Sequence, residues 1–134
     1  MGKLVRALSP DLLVMVAACS ASQPSAPAVS LPTSNWSPGD VGMASLIEGT
    51  LTSDSKGCLV VDDVVLIWPK GYTARTPSQG TTEVLGPSGT VVARTGVKIS
   101  AGGGRSLVGA SGPCVEARDS DSVFQVNAEL PALS

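Results

Sequence analysis

The chain has 134 residues, enough for one domain, with 9 Lys and Arg, 11 Asp and Glu, and no His. Its formal net charge of −2 excludes most phosphate-binding surfaces, so we expect no nucleic-acid partner. Without His, the commonest general base and the commonest metal ligand are both missing. The sequence therefore indicates no catalytic residue, no metal and no cofactor.

The first 18 residues have the order of an export signal. Lys3 and Arg6 precede an uninterrupted apolar run, LLVMVAA, at positions 12–18. A membrane-spanning helix needs about 20 apolar residues, so this run is too short to remain as a finished span. We predict a cleaved signal peptide over residues 1–18. The alternative is an apolar N-terminal element of the fold.

Residues 16–19, Val-Ala-Ala-Cys, resemble the lipobox of bacterial lipoproteins. In that family the Cys thiol takes a diacylglycerol and the peptide bond before it is cut, so the resemblance implies that Cys19 is the acylated first residue of the mature protein. Two or three acyl chains anchor a protein stably in a bilayer. The expected location is the extracytoplasmic face of the cell membrane, with the lipid bilayer as a partner. A plain secretory signal with an incidental Cys is the alternative.

The segment after Cys19 has the composition of a linker. Residues 20–39 contain four Pro and six Ser and no charged residue. Such a segment buries too little apolar surface to offset the entropy lost on ordering. We therefore predict that residues 19–39 form a disordered tether and that residues 40–130 form the folded domain.

The predicted domain consists of short runs rich in Val, Ile, Leu and Thr, separated by Gly and Pro. Such runs are typical of strands, and no window has a sustained apolar stripe at helical spacing. The predicted strands cover residues 44–51, 58–61, 64–68, 81–85, 90–94, 96–100, 106–110 and 122–127. A sheet of about five to seven short strands must curl to bury a core. We predict an all-β fold, either a small, partly closed, OB-like barrel or a sandwich.

Three local patterns refine this prediction. Gly86-Pro87-Ser88-Gly89 lies between two β-forming runs and predicts a hairpin. Residues 64–68 are apolar throughout, which suits a strand covered on both faces. Asp62 and Asp63 predict a turn, because neighbours along a strand point to opposite faces and cannot act together on one substrate.

Cys58 and Cys114 remain once Cys19 is assigned to the lipid. An even number of cysteines in an exported chain predicts one disulfide. The alternative is two buried free thiols. A zinc site is not expected, because two Cys without His leave the tetrahedron half empty.

Two further patterns predict turns or connections. Asp119-Ser120-Asp121 resembles a fragment of a calcium loop but lacks the closing Glu. Residues 101–105, AGGGR, lack the Lys and Ser or Thr of a phosphate-binding loop and predict a flexible connection or a bulge.

Trp68 and Tyr72 flank the turn-forming Pro69-Lys70-Gly71. They could form an exposed platform that contacts a ligand or partner. Alternatively, Trp68 ends a core strand and Tyr72 caps the barrel, which is the interpretation we favour.

Five motifs follow one another along the chain: Gly57-Cys58-Leu59, Trp68-Pro69-Lys70-Gly71-Tyr72, a hairpin over residues 91–96 ending in Gly96, the glycines at 102–104, and Cys114. In this order they resemble a group of small uncharacterised lipoproteins of actinobacteria. The resemblance covers roughly residues 45–127. It implies an exported, anchored, disulfide-bonded β-domain and no particular activity.

These observations predict a membrane-anchored envelope lipoprotein with a non-enzymatic binding or structural module, whose partner is a protein or a small molecule. The alternatives are a small envelope hydrolase that works without His and an accessory subunit of an envelope complex. A deep cleft with two convergent polar side chains would favour the enzyme. A shallow loop-lined or aromatic face would favour binding. An exposed apolar patch or an unpaired strand edge would favour the subunit.

Overall fold

The computed structural model describes residues 28–29 and 31–133, so the predicted signal peptide, Cys19 and the part of the predicted tether at residues 20–27 and 30 lie outside the described residues. The described part is all-β, which confirms the predicted class. In chain order the elements are β1 (Ala28–Val29), β2 (Ser45–Thr50), β3 (Thr52–Ser53), β4 (Leu59–Val61), β5 (Val64–Ile67), β6 (Thr73–Ser78), β7 (Thr81–Leu85), β8 (Val91–Arg94), β9 (Lys98–Gly104), a short 3-10 turn (Ser120–Ser122) and β10 (Val123–Val126).

The larger sheet has six strands in the order β2-β9-β10-β5-β4-β3. β5 and β10 are parallel, and the other neighbours are antiparallel. β2 and β3 lie at opposite ends of this order, yet Leu51 alone separates them in the chain. One bent segment thus forms both ends of the sheet, which curls round a core without closing into a continuous ladder. The prediction of an all-β fold, given as a partly closed barrel or a sandwich, is confirmed in its class, and the larger sheet itself is not closed.

Leu51 joins the two halves of the bent segment. Its N–H donates to the Val97 carbonyl at 3.1 Å, and its carbonyl accepts from Gly96 N–H at 2.8 Å. The side chain is fully buried in the main core. Backbone pairing and burial together hold the chain at the point where it changes partners from β9 to β4.

The smaller sheet has the order β1-β6-β7-β8; β6, β7 and β8 lie in the chain between β5 and β9, whereas β1 precedes β2. All its pairings are antiparallel. The predicted hairpin joins β7 to β8: Gly86 N–H donates to the Thr90 carbonyl and Gly89 N–H to the Gly86 carbonyl, both at 2.9 Å. The sequence prediction of a four-residue turn here is confirmed.

The main core lies inside the curled sheet and against the smaller sheet. It includes Leu51, Val61, Leu66, Trp68, Phe124 and Val126, with Val84 and Ala93 from the smaller sheet. The opposite face of β5 carries Val65 and Ile67, which belong to a second buried cluster. β5 is therefore covered on both faces, as its uninterrupted apolar run predicts.

The ordered unit extends beyond the predicted boundaries at residues 40 and 130. Trp68 N–H donates to the Pro32 carbonyl, and Ser34 N–H donates to the Trp68 carbonyl, both at 2.9 Å. At the other end, Leu133 N–H donates to the Val91 carbonyl at 2.8 Å. Residues 31–36 are therefore an extended segment that packs on the domain. The prediction of a disordered tether over residues 19–39 does not hold for this part, because the Pro- and Ser-rich composition gives no sign of these contacts.

The predicted strands differ from the structure at residues 106–110 and at β1, β3 and β6, which the sequence did not predict. Residues 106–110 are a loop, because Leu107 and Ala110 serve to cover the second cluster rather than to join a sheet. Conversely, β6 is a strand although its sequence, TARTPS, has little apolar character. Its pairing with β7 and β1 supplies the stability that its own composition lacks.

Candidate functional site

Cys58 and Cys114 form a disulfide with a Cα–Cα distance of 5.7 Å, which confirms the predicted bridge. Cys58 directly precedes β4, and Cys114 lies in the long connection between β9 and β10. We call this connection, residues 105–122, the disulfide loop. The bond fastens the middle of the disulfide loop to the sheet.

The disulfide loop covers the outer face of β4, β5 and β10. Val60, Val65, Ile67 and Val123 point to that face and pack with Cys58 and with Val115 of the disulfide loop. Arg118 adds polar contacts, since its guanidinium donates to the carbonyls of Asp63 and Ser122, both at 3.3 Å. It also lies 3.7 Å from the Asp54 carboxylate. The disulfide loop is thus part of the packed structure.

Trp68 and Tyr72 lie in the core, with exposed fractions of 0% and 5%. Their rings are stacked with centroids 6.4 Å apart. The Tyr72 hydroxyl accepts a hydrogen bond from Leu130 N–H at 3.2 Å. Both residues therefore lie in the core, in agreement with the interpretation we favoured. Neither ring has an open surface for the contact with a ligand or partner that the other interpretation requires.

The acidic pairs form turns. Asp62 and Asp63 have φ of 51° and 67°, the left-handed conformations that a tight type I′ hairpin turn needs at both central positions. The Asp119 side chain caps the 3-10 turn by accepting from Asp121 N–H at 3.1 Å. Within the described residues, no three His, Cys, Asp or Glu side chains are grouped so that they could hold a metal ion.

The glycine run at 102–104 belongs to β9. The prediction of a flexible connection or a bulge at these residues is therefore wrong. A Cβ atom at Gly103 would overlap the carbonyl oxygen of Gln125 on β10. A Cβ atom at Gly104 would lie 2.7 Å from Met43 Cβ. Glycine is needed here because neighbouring chain segments approach the strand closely, which local sequence could not reveal.

Three charged side chains cross the smaller sheet in register. Glu83 on β7 lies opposite Arg75 on β6 and Arg94 on β8. Arg75 Nε donates to Glu83 Oε1 and Arg94 Nε donates to Glu83 Oε2, both at 3.0 Å. The Glu83 side chain is 10% exposed, while the arginines are 46% and 41% exposed. Sequence reasoning missed this triad, although the predicted hairpin would have brought Glu83 close to Arg94.

The hydrogen bond from Arg75 lowers the pKa of Glu83 below its usual value. Desolvation opposes this shift, and the hydrogen bond and charge of Arg94 add to it. A carboxyl whose pKa is lowered by folding stabilises the folded state above the pKa of the unfolded chain, about 4.3 for Glu. This contribution is lost as the pH falls through the lower, folded-state pKa.

Glu83→Gln is therefore expected to lower the free energy of unfolding by roughly 1–2 kcal/mol at pH 7, since the arginines are half exposed and partly screened. The variant should also lose less stability than the parent on acidification to about pH 3. Urea unfolding at both pH values measures this, with Glu129→Gln at an exposed residue as the control. Equal acid sensitivity of Glu83→Gln and the parent would contradict the assigned role.

Two clefts on the surface of the described residues are large enough to consider as sites. One, of about 170 Å³, is lined by Val92, Lys98, Ile99, Ser100 and residues 130–133. The other, of about 470 Å³, is lined by Thr52, Ser53, Asp54, Gly80, Thr95 and Gly96. Each contains a single ionisable side chain, Lys98 in the first and Asp54 in the second.

An apolar surface patch lies beside β9. We define the apolar patch as Met43, Leu46 and Val108, whose exposed fractions are 40%, 62% and 81%. Leu46 lies opposite Gly102, and Met43 lies over Gly104. Gly104 pairs with Gln125, whose Nε2 donates to the Val108 carbonyl at 2.9 Å. These contacts connect residues from two distant parts of the chain on one outer face of the sheet.

Charged residues flank the apolar patch along the chain. Asp40 precedes it, Glu48 is on β2 two residues after Leu46, and Arg105 follows the glycine run. Glu48 accepts a hydrogen bond from the Ser100 hydroxyl at 3.3 Å, and the Arg105 guanidinium donates to the Asp121 carbonyl. An apolar centre with a polar rim is the usual composition of a protein interface.

β2 is an end strand of the larger sheet in the described part of the chain. Its residues Ser45–Thr50 pair with β9 on one side. On the other side the chain begins to pair with β4 only at Thr52, which belongs to β3. The apolar patch therefore adjoins a strand edge that can still form hydrogen bonds.

Comparisons with models of known protein families, with curated proteins and with solved structures found no match. Among the residues described, no helix has the length and apolar character needed to cross a bilayer.

Proposed function

We propose that this chain is a lipid-anchored protein of the extracytoplasmic membrane face, whose β-domain is a non-enzymatic module that binds another protein as a subunit of an envelope complex. Two observations support the location. Val16-Ala17-Ala18-Cys19 has the pattern of a lipoprotein processing site. The Cys58–Cys114 disulfide fits a protein that folds in an oxidising compartment.

The apolar patch carries the binding part of the proposal. Three large apolar side chains are exposed beside a strand edge that is unpaired among the described residues, and natural proteins rarely leave such an edge unprotected. By contrast, neither described cleft brings two ionisable side chains together. The side chains available for contact thus favour association with another macromolecule over a reaction.

The anchor makes a direct prediction. Cys19→Ala should release the protein from the membrane fraction or leave it unprocessed, because the thioether can form only at sulfur. Fractionation and intact mass measure both outcomes, and Ser20→Ala should remain membrane-bound as the control. A Cys19→Ala protein with the parent's mass and fractionation would refute the anchor.

The binding role is tested with a photoactivatable amino acid at position 46, in the apolar patch. In intact cells this variant should give a covalent adduct. The same amino acid at Gln79, an exposed turn residue of the smaller sheet, should give none. Adducts of equal yield at both positions, or none from position 46, would overturn the proposal that the apolar patch binds.

A further inference from the structure

The backbone of β2 directs hydrogen-bonding groups to its free edge at defined residues. The Gly102 carbonyl on β9 accepts from Asn127 N–H at 2.8 Å and thus points toward β10. In an antiparallel pair, residues opposite each other either exchange both backbone hydrogen bonds or make none. Leu46, which lies opposite Gly102, therefore directs its N–H and C=O away from β9. Glu48, two residues further on, repeats this orientation.

Over residues 44–48, and as far as the described residues show, this edge lacks the features that prevent strands from pairing with one another, whereas at Gly49 it is approached by Val61 and Asp62. The segment from Val41 to Leu51 has no Pro, no Lys and no Arg, and Glu48 is its only charged residue. Natural sheets protect an edge with lysines, prolines, bulges or a covering segment. Leu46, at the centre of this edge, is instead apolar and 62% exposed.

The edge is complementary to itself. In a two-fold antiparallel pairing centred on Leu46, the side chains of Leu46 lie opposite each other, and Ser45 lies opposite Ile47. Glu48 then lies opposite Ala44, so the single acidic residue never meets its own copy. Because Leu46 directs both backbone groups outward, the central pair can exchange two hydrogen bonds. Interfaces of this kind, in which one patch meets itself, are the commonest in homo-oligomers.

We propose that β2 pairs with β2 of a second copy of this chain, antiparallel and centred on Leu46, to form a symmetric dimer with a continuous sheet. This inference rests on the proposed binding role of the apolar patch and names its partner. The dimer covers Leu46 and satisfies the backbone groups of the edge. Anchoring of both copies in one membrane would raise their effective concentration and favour the pairing.

The proposal is tested by measuring the oligomeric state of the mature, full-length protein in detergent micelles by sedimentation. The parent should sediment as a dimer at micromolar concentration. Leu46→Lys should raise the dissociation constant at least about 10-fold, because two like charges would lie directly opposite each other. Gln79→Lys, the same charge change at an exposed turn of the smaller sheet, should dimerise as the parent does. A monomeric parent, or a Leu46→Lys protein that dimerises normally, would overturn the proposal.

Cross-linking tests the register. Residues in a hydrogen-bonded antiparallel pair have Cα atoms about 5.5 Å apart, within the range of a disulfide. Leu46→Cys should therefore form a covalent dimer under mild oxidation. Val108→Cys, in the same patch but away from the two-fold axis, should not. If Val108→Cys formed a covalent dimer and Leu46→Cys did not, the two copies would pack through the faces of their sheets. That result would overturn the edge pairing.

The photoactivatable variant separates this inference from the proposed function. An adduct at position 46 with twice the chain mass supports both. An adduct with a different protein, together with a monomeric parent, would overturn the second copy as partner and leave the binding role standing. The absence of any adduct at position 46 would overturn both.

Discussion

Replacement of both Cys58 and Cys114 by serine is expected to lower the free energy of unfolding by about 4 kcal/mol. The bridge joins residues 56 positions apart, and a cross-link over a loop of this length greatly restricts the unfolded chain. It also fastens the disulfide loop over a buried apolar cluster. A domain of this size is typically stable by about 5–10 kcal/mol, so the variant should unfold at a much lower urea concentration.

Urea unfolding of the parent and the double variant, with and without reductant, measures this contribution. The reduced parent should resemble the double variant, and reductant should not affect the variant. Hydrogen exchange should become faster in residues 105–122 before it does so in the main core, because the disulfide loop loses its covalent attachment. A double variant within about 1 kcal/mol of the parent would contradict the chain-entropy explanation.

Gly103→Ala is expected to destabilise the fold by about 3 kcal/mol. The added Cβ atom would overlap the Gln125 carbonyl oxygen and lie 2.9 Å from Asn127 N. Both are backbone atoms, so no side-chain rotation can relieve the contact. The substitution must instead separate β9 from β10 at the centre of the larger sheet.

Gly102→Ala provides the matched control on the same strand. A Cβ atom there would lie 3.8 Å from the Ser45 carbonyl oxygen and 3.9 Å from Ala128 Cβ, which are ordinary contacts. We expect a change within about 0.5 kcal/mol, typical of a tolerated surface substitution. Chemical denaturation of both variants measures the difference. Equal stability of the two variants would mean that β9 and β10 approach each other less closely than described.

Strands that fill the core could be predicted from sequence. β5 has an uninterrupted apolar run because both its faces are buried, one in the main core and one under the disulfide loop. The turns at Asp62 and Gly86 were predictable because their local chemistry selects the backbone conformation. Each of these signals lies within a few residues of the feature it predicts.

Features that depend on distant residues could not be predicted in this way. β6 is polar and forms because its neighbours pair with it, while residues 106–110 are apolar and form a loop because they cover another surface. The apolar patch escaped detection for the same reason. Met43 and Val108 are far apart in sequence and are connected through Gly104 and Gln125 on two other strands.

The position of β10 determines when this protein can begin to fold. β10 is the last strand in the sequence, yet it lies in the middle of the larger sheet, where Val65 pairs with Val123 and Gly103 with Val126. Until residues 123–126 have emerged from a ribosome or a membrane channel, β9 and β5 have no common neighbour. Residues 123–126 must therefore leave either one before the larger sheet can be completed, and its assembly then depends on contacts between distant residues, which are slow to form.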